Sequence, residues 1–211
     1  TRPGNAIEQS FAKVDAVTAP DTQASEAMSK PLSALQAWAT SNQQPALAEL
    51  CTEYAAHSQS GITRLLNGPT GERNSYAILP REHVLCLAEV ESDLLTQLAA
   101  VLAVGSSAVL PQSELAKALL ARLPAEVQPR ITLVADWTKD EVIFDAVLHH
   151  GDCDQLRDVC QQVAQRAGAI VGVQGLSQGE TNIALERLVI ERALSVNTAA
   201  AGGNASLMTI G

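Results

Sequence analysis

The chain has 211 residues, 46% of them hydrophobic, enough for one domain with a buried core or for one domain with appendages. Fourteen basic residues stand against 23 acidic ones, a formal charge of -9, and no Lys/Arg cluster occurs that would neutralise a row of phosphates, which excludes nucleic-acid binding by this segment. With two each of Trp, Tyr and Phe, neither base-stacking platforms nor aromatic-lined ligand grooves have material.

Residues 1–30, rich in Pro, Thr, Ser, Gln and Ala, read as a linker. Leu32, Leu35, Trp38 and Ala39 after Pro31, then Leu47, Leu50, Cys51 and Tyr54 after Pro45, predict two amphipathic helices. The turn Gly68-Pro69-Thr70-Gly71 leads to a strand over Tyr76–Leu79 and a second over His83–Ala88. Ser92 is placed to cap a helix with Leu94, Leu95, Leu98, Val101 and Leu102 on one face, ended by Gly105 before the strand Ala108–Leu110. Leu115, Leu119, Leu120 and Leu123 predict the next helix, stopped by Pro124, and Ile131–Val134 and Phe144–Leu148 read as strands. Asp152 or Asp154 caps a helix that turns Leu156, Val159, Cys160 and Val163 inward; Gly168 closes it and Ala169–Val173 is the last apolar strand.

Strands and helices that alternate in this way, with continuous apolar strands, predict an α/β fold: a Rossmann-like parallel sheet with flanking helices over 31–180. The pattern changes over 181–211. Leu188, Ile190, Leu194 and Val196 alternate with Arg187, Val189, Glu191 and Ser195 as in a half-exposed β-flap strand, and a helix through Leu185, Leu188, Val189 and Arg192 is the competing reading. Glu186, Arg187, Glu191 and Arg192 are expected to form a solvated charged edge that discourages indiscriminate strand pairing. The tail after Ser195 is uncharged and closes with Leu207, Met208 and Ile210.

Cys51, Cys86, Cys153 and Cys160 lie in apolar or helical patterns without a CxxC pair, so reduced and mostly buried thiols are expected, with no metal site. His149 and His150 are consecutive on a strand and point to opposite faces, so they cannot converge with Asp152 and Asp154 on one ion. The Asp carboxylates at the following helix are expected to accept its orphan amides, at the place where a dinucleotide fold would seat a pyrophosphate. Neither GxGxxG nor GxxxxGK[ST] occurs, and no Ser/His/Asp or Cys/His arrangement can be assembled; His57 and His83 stand isolated. The reading is of a segment with no catalytic, cofactor or metal residues, making no nucleic-acid or membrane contact. Thr1 is its first residue, no signal peptide precedes it, and a cytoplasmic fragment of something longer is expected.

The run Glu191-Arg-Ala-Leu-Ser-Val-Asn-Thr-Ala-Ala-Ala-Gly-Gly-Asn-Ala-Ser-Leu-Met-Thr-Ile-Gly211 closely resembles the C-terminal motif of the proline utilization A flavoenzymes. Gly68-Pro-Thr-Gly-Glu-Arg-Asn74, Leu98-Ala-Ala-Val-Leu-Ala-Val-Gly105, His150-Gly-Asp152, Asp154-Gln-Leu-Arg157 and Val173-Gln-Gly175 support the likeness over about residues 31–211. The resemblance implies a parent enzyme that oxidises proline with FAD and then glutamate semialdehyde with NAD, in an aldehyde dehydrogenase domain separate from this one. It also implies that this segment is an aldehyde-dehydrogenase-like cofactor domain plus oligomerisation flap, associated with covering the channel between the two active sites. Any DNA-binding part of the parent would be N-terminal and outside this chain.

Three departures from the family's active domains carry weight. Where those have Lys-Pro-Ser-Glu, whose Lys the resemblance implies would contact the adenosine ribose, this chain has Leu110-Pro111-Gln112-Ser113-Glu114; where they have Phe-Thr-Gly-Ser at the pyrophosphate helix, it has His149-His150-Gly151-Asp152. No cysteine follows Cys160 to serve as the nucleophile. The expectation is a non-catalytic lid whose interface residues are Leu188, Ile190, Leu194, Val196, Asn197, Asn204, Leu207, Met208 and Ile210. Its expected partner is the aldehyde dehydrogenase domain of the same chain or of a neighbouring subunit, with a homodimer through the flap as a further contact. The alternative is an NAD-binding enzyme domain with residual dehydrogenase activity.

Overall fold

The computed structural model describes residues 28–197; the linker expected over 1–30 lies almost wholly outside them, as do Asn204, Leu207, Met208 and Ile210 of the tail. Two helices come first. Ser29 caps α1 (Lys30–Ser41) by accepting from the Leu32 amide, and Pro45 opens α2 (Pro45–His57). A hairpin follows, β1 (Thr63–Leu66) and β2 (Glu72–Pro80), and after it the alternating run β3 (His83–Leu87), α3 (Glu91–Val104), β4 (Ser107–Pro111), α4 (Glu114–Arg122), β5 (Ile131–Val134), β6 (Ala146–His150), α5 (Cys153–Ala164) and β7 (Gly172–Leu176). A short 3-10 turn, Leu185–Leu188, leads into β8 (Val189–Asn197).

The strands form two sheets. The larger is parallel, in the order β5-β4-β3-β6-β7, the doubly wound pattern that the alternation predicted. Side-chain alternation divides its faces. Val84, Cys86, Ala108, Leu110, Ala146 and Leu148 face the cluster built with α1 to α4, whereas Leu85, Leu87, Val109 and Val147 face α5 and Phe144. Helix α3 is buried around almost its whole circumference, Asp93, Thr96 and Gln97 included, because it is sandwiched between the sheet and the α1–α2 pair; the single apolar face expected for it is too narrow a description.

The smaller sheet, β1-β2-β8, is antiparallel and is the flap. Strand β8 settles the two readings of 185–196: one turn of 3-10 helix, then a strand paired over its whole length with β2 from Glu72↔Asn197 to Pro80↔Val189. The flap therefore draws β1 and β2 from the stretch expected to belong to the Rossmann-like part. Its root is pinned at Arg81, whose backbone amide donates to the Leu188 carbonyl, whose Nε donates to the Arg187 carbonyl and whose Nη1 donates to the Asp145 carbonyl.

Several local expectations need correction. Strand β1 was not foreseen, because its residues stay mostly exposed and carry no alternation. Val90, without a side-chain bond, occupies the N-cap of α3, and Ser92 lies inside the helix. Phe144 precedes β6, which begins at Ala146 where it pairs with Val84; the ring instead lies under the Arg166 guanidinium, 4.4 Å from its centroid. Arg166 also donates to the carbonyls of Trp137, Lys139 and Val142, so one side chain organises the helix-free connection from β5 to β6. Strand β7 begins at Gly172, not Ala169, and Ile170 is fully exposed. Gly175 in it is a packing position: a Cβ there would stand 2.3 Å from Leu156 Cδ2 of α5. Cys153 and Cys160 are exposed, so only Cys51 and Cys86 are the buried thiols that were expected, and Cys160 does not point inward.

Candidate functional site

In an open α/β sheet, ligands bind where the strand order reverses, beyond the carboxyl ends of the strands. Here that point lies between β3 and β6. A crevice of about 570 Å³ opens there, with Leu87, Ala88, Leu94, Leu110, Trp137 and His149 among its lining.

The α5 N-terminus at this crevice is closed by its own side chains. Asp152 Oδ1 accepts from the amides of Asp154 (2.9 Å) and Gln155 (2.8 Å), and Gln155 Oε1 accepts from the Asp152 amide (3.0 Å). This is a complete capping box, and it identifies Asp152 rather than Asp154 as the cap. Gly151 is required by it, since a Cβ there would stand 2.5 Å from both Gln155 Oε1 and His149 Cε1. Gln155 Nε2 donates in turn to Glu89 (3.3 Å), which lines the crevice together with a second carboxylate, Asp158.

Leu110, in the position where the resemblance expects a ribose-binding lysine, is buried in the core, and Ser113 is spent capping α4 through the Ala116 amide. His149 and His150 diverge as their alternation requires. His149 lines the crevice; burial and the neighbouring His150 hold its pKa below the usual imidazole value, against the opposing pull of Asp152 and Glu89. His150 instead ties α3 to the loop after β7: its Nδ1 accepts from Gln97 Nε2 (2.8 Å) and its Nε2 donates to the Glu180 carbonyl (2.8 Å). Gln97, which also donates to the Leu87 carbonyl, was missed in the sequence because a lone glutamine within an apolar helix gives no periodic signal. Cys86 lines the crevice too, yet complete burial pushes its thiol far above the usual range and keeps it protonated.

The expected interface residues separate into two groups. Ile190, Leu194 and Val196 lie on one face of β8 and are 42%, 45% and 45% exposed, an apolar stripe on a strand that is the edge of its sheet among the described residues. Asn197 is exposed at the end of that strand. Leu188 does not belong with them: at 1% exposure in the 3-10 turn it is a core residue beneath the flap. Among the described residues, no group of His, Cys, Asp or Glu is arranged to hold a metal ion, and no helix is long and apolar enough to cross a membrane.

No family model matches the chain. It is 54% identical over 210 residues to bifunctional protein PutA of Escherichia coli strain K12, and 55% identical over 210 residues to that of Salmonella typhimurium; each match covers 100% of this chain and 16% of the relative. The chain thus spans about one sixth of the length of those relatives. Among solved structures, betaine aldehyde dehydrogenase of Staphylococcus aureus, determined with NAD+, is 14% identical with a TM-score of 0.50 over 69% of this chain and 36% of that one, a likeness of fold alone. Over 210 residues the chain is thus similar to one segment of the bifunctional PutA proteins.

Proposed function

We propose that this segment is a non-catalytic structural and lid module of a proline-catabolic flavoenzyme, acting in the cytoplasm and docking through its flap and tail on the aldehyde dehydrogenase domain of the same chain or of a neighbouring subunit. The observation that carries this reading is the self-capped α5 N-terminus. The amides of Asp152, Asp154 and Gln155, which a pyrophosphate would need, are bonded internally, and Asp152 and Glu89 present negative charge to any phosphate that approaches. FAD and NAD would then be bound elsewhere in the parent, and this chain would supply packing surface.

The exposed stripe Ile190, Leu194 and Val196 supports docking through the flap. The uncharged sequence after Ser195 costs little desolvation when it is covered, with Leu207, Met208 and Ile210 as apolar anchors. Retaining a reactive semialdehyde until its second oxidation is the gating service that lids perform.

The test is removal of residues 195–211 from the parent enzyme, following NADH formation from proline. A lag before NADH appears is expected; glutamate formed at the full rate without added lag refutes the lid. The other reading, a domain that itself binds NAD, is favoured by the retained strand order. Calorimetric titration with NAD separates the two, since micromolar binding to this chain would overturn the structural role.

A further inference from the structure

We propose that a second cavity, at the opposite, amino-terminal edge of the parallel sheet, is a binding site for a short aliphatic carboxylate. The cavity encloses about 200 Å³ where β6 and β7 begin, beneath the root of the flap, and Arg81, Arg187, Gln174, Val147, Val173 and Leu188 line it. It is remote in the fold from the crevice at the carboxyl ends of the strands and shares no lining residue with it.

Gln174 is the decisive residue. It is 9% exposed, and its Oε1 is buried without a hydrogen-bond partner among the described residues. A buried carboxamide left unsatisfied costs about 1–3 kcal/mol, and a half-turn of the amide offers Nε2 as a donor in its place. Arg81 provides the fixed cation. Its Nε and Nη1 are bound to the carbonyls of Arg187 and Asp145 at 3.0 and 3.1 Å, which orients the guanidinium and leaves N–H groups over.

Arg187 adds a second positive charge at the rim. No carboxylate among the described residues lines the cavity; of those adjacent in sequence or contact, Asp145 is engaged by the amides of Glu82 and His83, and Glu82 and Glu186 are exposed. Two guanidinium groups and a carboxamide match the two acceptor oxygens of a carboxylate. Leu188, on the same face of the sheet as Gln174, offers its alkyl body an apolar contact. At roughly 30 Å³ per water-sized group, the cavity takes a chain of about four carbons.

Butyrate is the probe, titrated into the full 211-residue chain and followed by the backbone NMR signals of Val147, Gly172 and Gln174. Saturable shifts are expected with butyrate, at least tenfold weaker with butyramide, which has the same shape without the charge. Gln174→Leu removes no existing hydrogen bond, so it should fold and bind butyrate at least tenfold more weakly. Arg187→Gln, a change on the surface, should weaken binding several-fold with the fold intact. Equal responses to butyrate and butyramide, unchanged affinity in Gln174→Leu and Arg187→Gln, or no saturable shift in the unaltered chain would each overturn the site.

Discussion

Replacing Asp152 by alanine removes both acceptor bonds at the head of α5 and leaves the Asp154 and Gln155 amides to solvent. Loss of a helix N-cap costs about 1 kcal/mol, and loss of the negative charge at the positive end of the helix adds roughly 0.3–1 kcal/mol at low salt. The expected penalty is therefore about 1–2 kcal/mol, or roughly 3–6 °C in Tm for a domain of this size. Urea unfolding followed by far-ultraviolet circular dichroism measures it. Asp152→Asn is the control: asparagine still caps but carries no charge, so it should lose only the dipole part, and added salt should shrink that difference. An alanine variant as stable as the parent within about 0.3 kcal/mol, well below the cap value, would show that solvent satisfies those amides equally well. The argument that self-capping occupies the phosphate position would then lose its energetic basis.

Arg166→Ala should cost about 2–4 kcal/mol, from three lost carbonyl bonds and the contact with Phe144. Raised hydrogen exchange over 135–145 is expected, and Arg166→Lys should not restore protection, because one ammonium cannot span the same three carbonyls. Native iodoacetamide labelling should modify Cys153 and Cys160 and spare Cys51 and Cys86, with all four reacting in denaturant; labelling of Cys86 in the native state would contradict its burial. Burial raises the Cys51 thiol from 9.0 to about 12, so the folded state holds that proton more tightly than the unfolded state. Its contribution to stability is fully present below pH 9 and is lost as pH rises from about 9 towards 12, and Cys51→Ala should flatten that part of the pH–stability curve.

The parallel sheet was legible because its strands are continuous apolar runs separated by helices whose capping chemistry is local: Gly105 in the left-handed conformation after α3, Ser113 before α4 and Asp152 before α5. An Asp cap on α5 could be read for the same reason, since the amides it accepts from lie within three residues, although the choice of Asp152 and the part of Gln155 in the capping box came only with the structure. Determinants that come from distant elements were hidden. Strand β7 could not be set in register from Ala169–Val173, because its start is fixed by pairing Gly172 with Ala146 and by the close approach of Leu156 to Gly175. The role of Arg166 is invisible in a periodic pattern, as its three acceptors sit 24 to 29 residues earlier in an irregular connection. Leu188 was misplaced because alternation alone does not tell a strand's first exposed residue from the buried end of a preceding turn.

These features share one physical logic. A helix N-terminus that binds phosphate keeps its amides unpaired in the free protein, a local cost repaid when the ligand arrives. In this chain Asp152 and Gln155 meet that demand permanently, so α5 is complete without a ligand. The same exchange holds at Leu110, which contributes buried apolar area to the core where a lysine would have to reach for a ribose. The flap, by contrast, carries a contiguous apolar stripe, Ile190, Leu194 and Val196, exposed on one strand that lies at the edge of its sheet among the described residues. A helix end completed by its own side chains and an apolar stripe left exposed on the flap are the two observations on which the proposed docking role rests, and they stand or fall by separate tests: the Asp152 variants for the first, removal of residues 195–211 for the second.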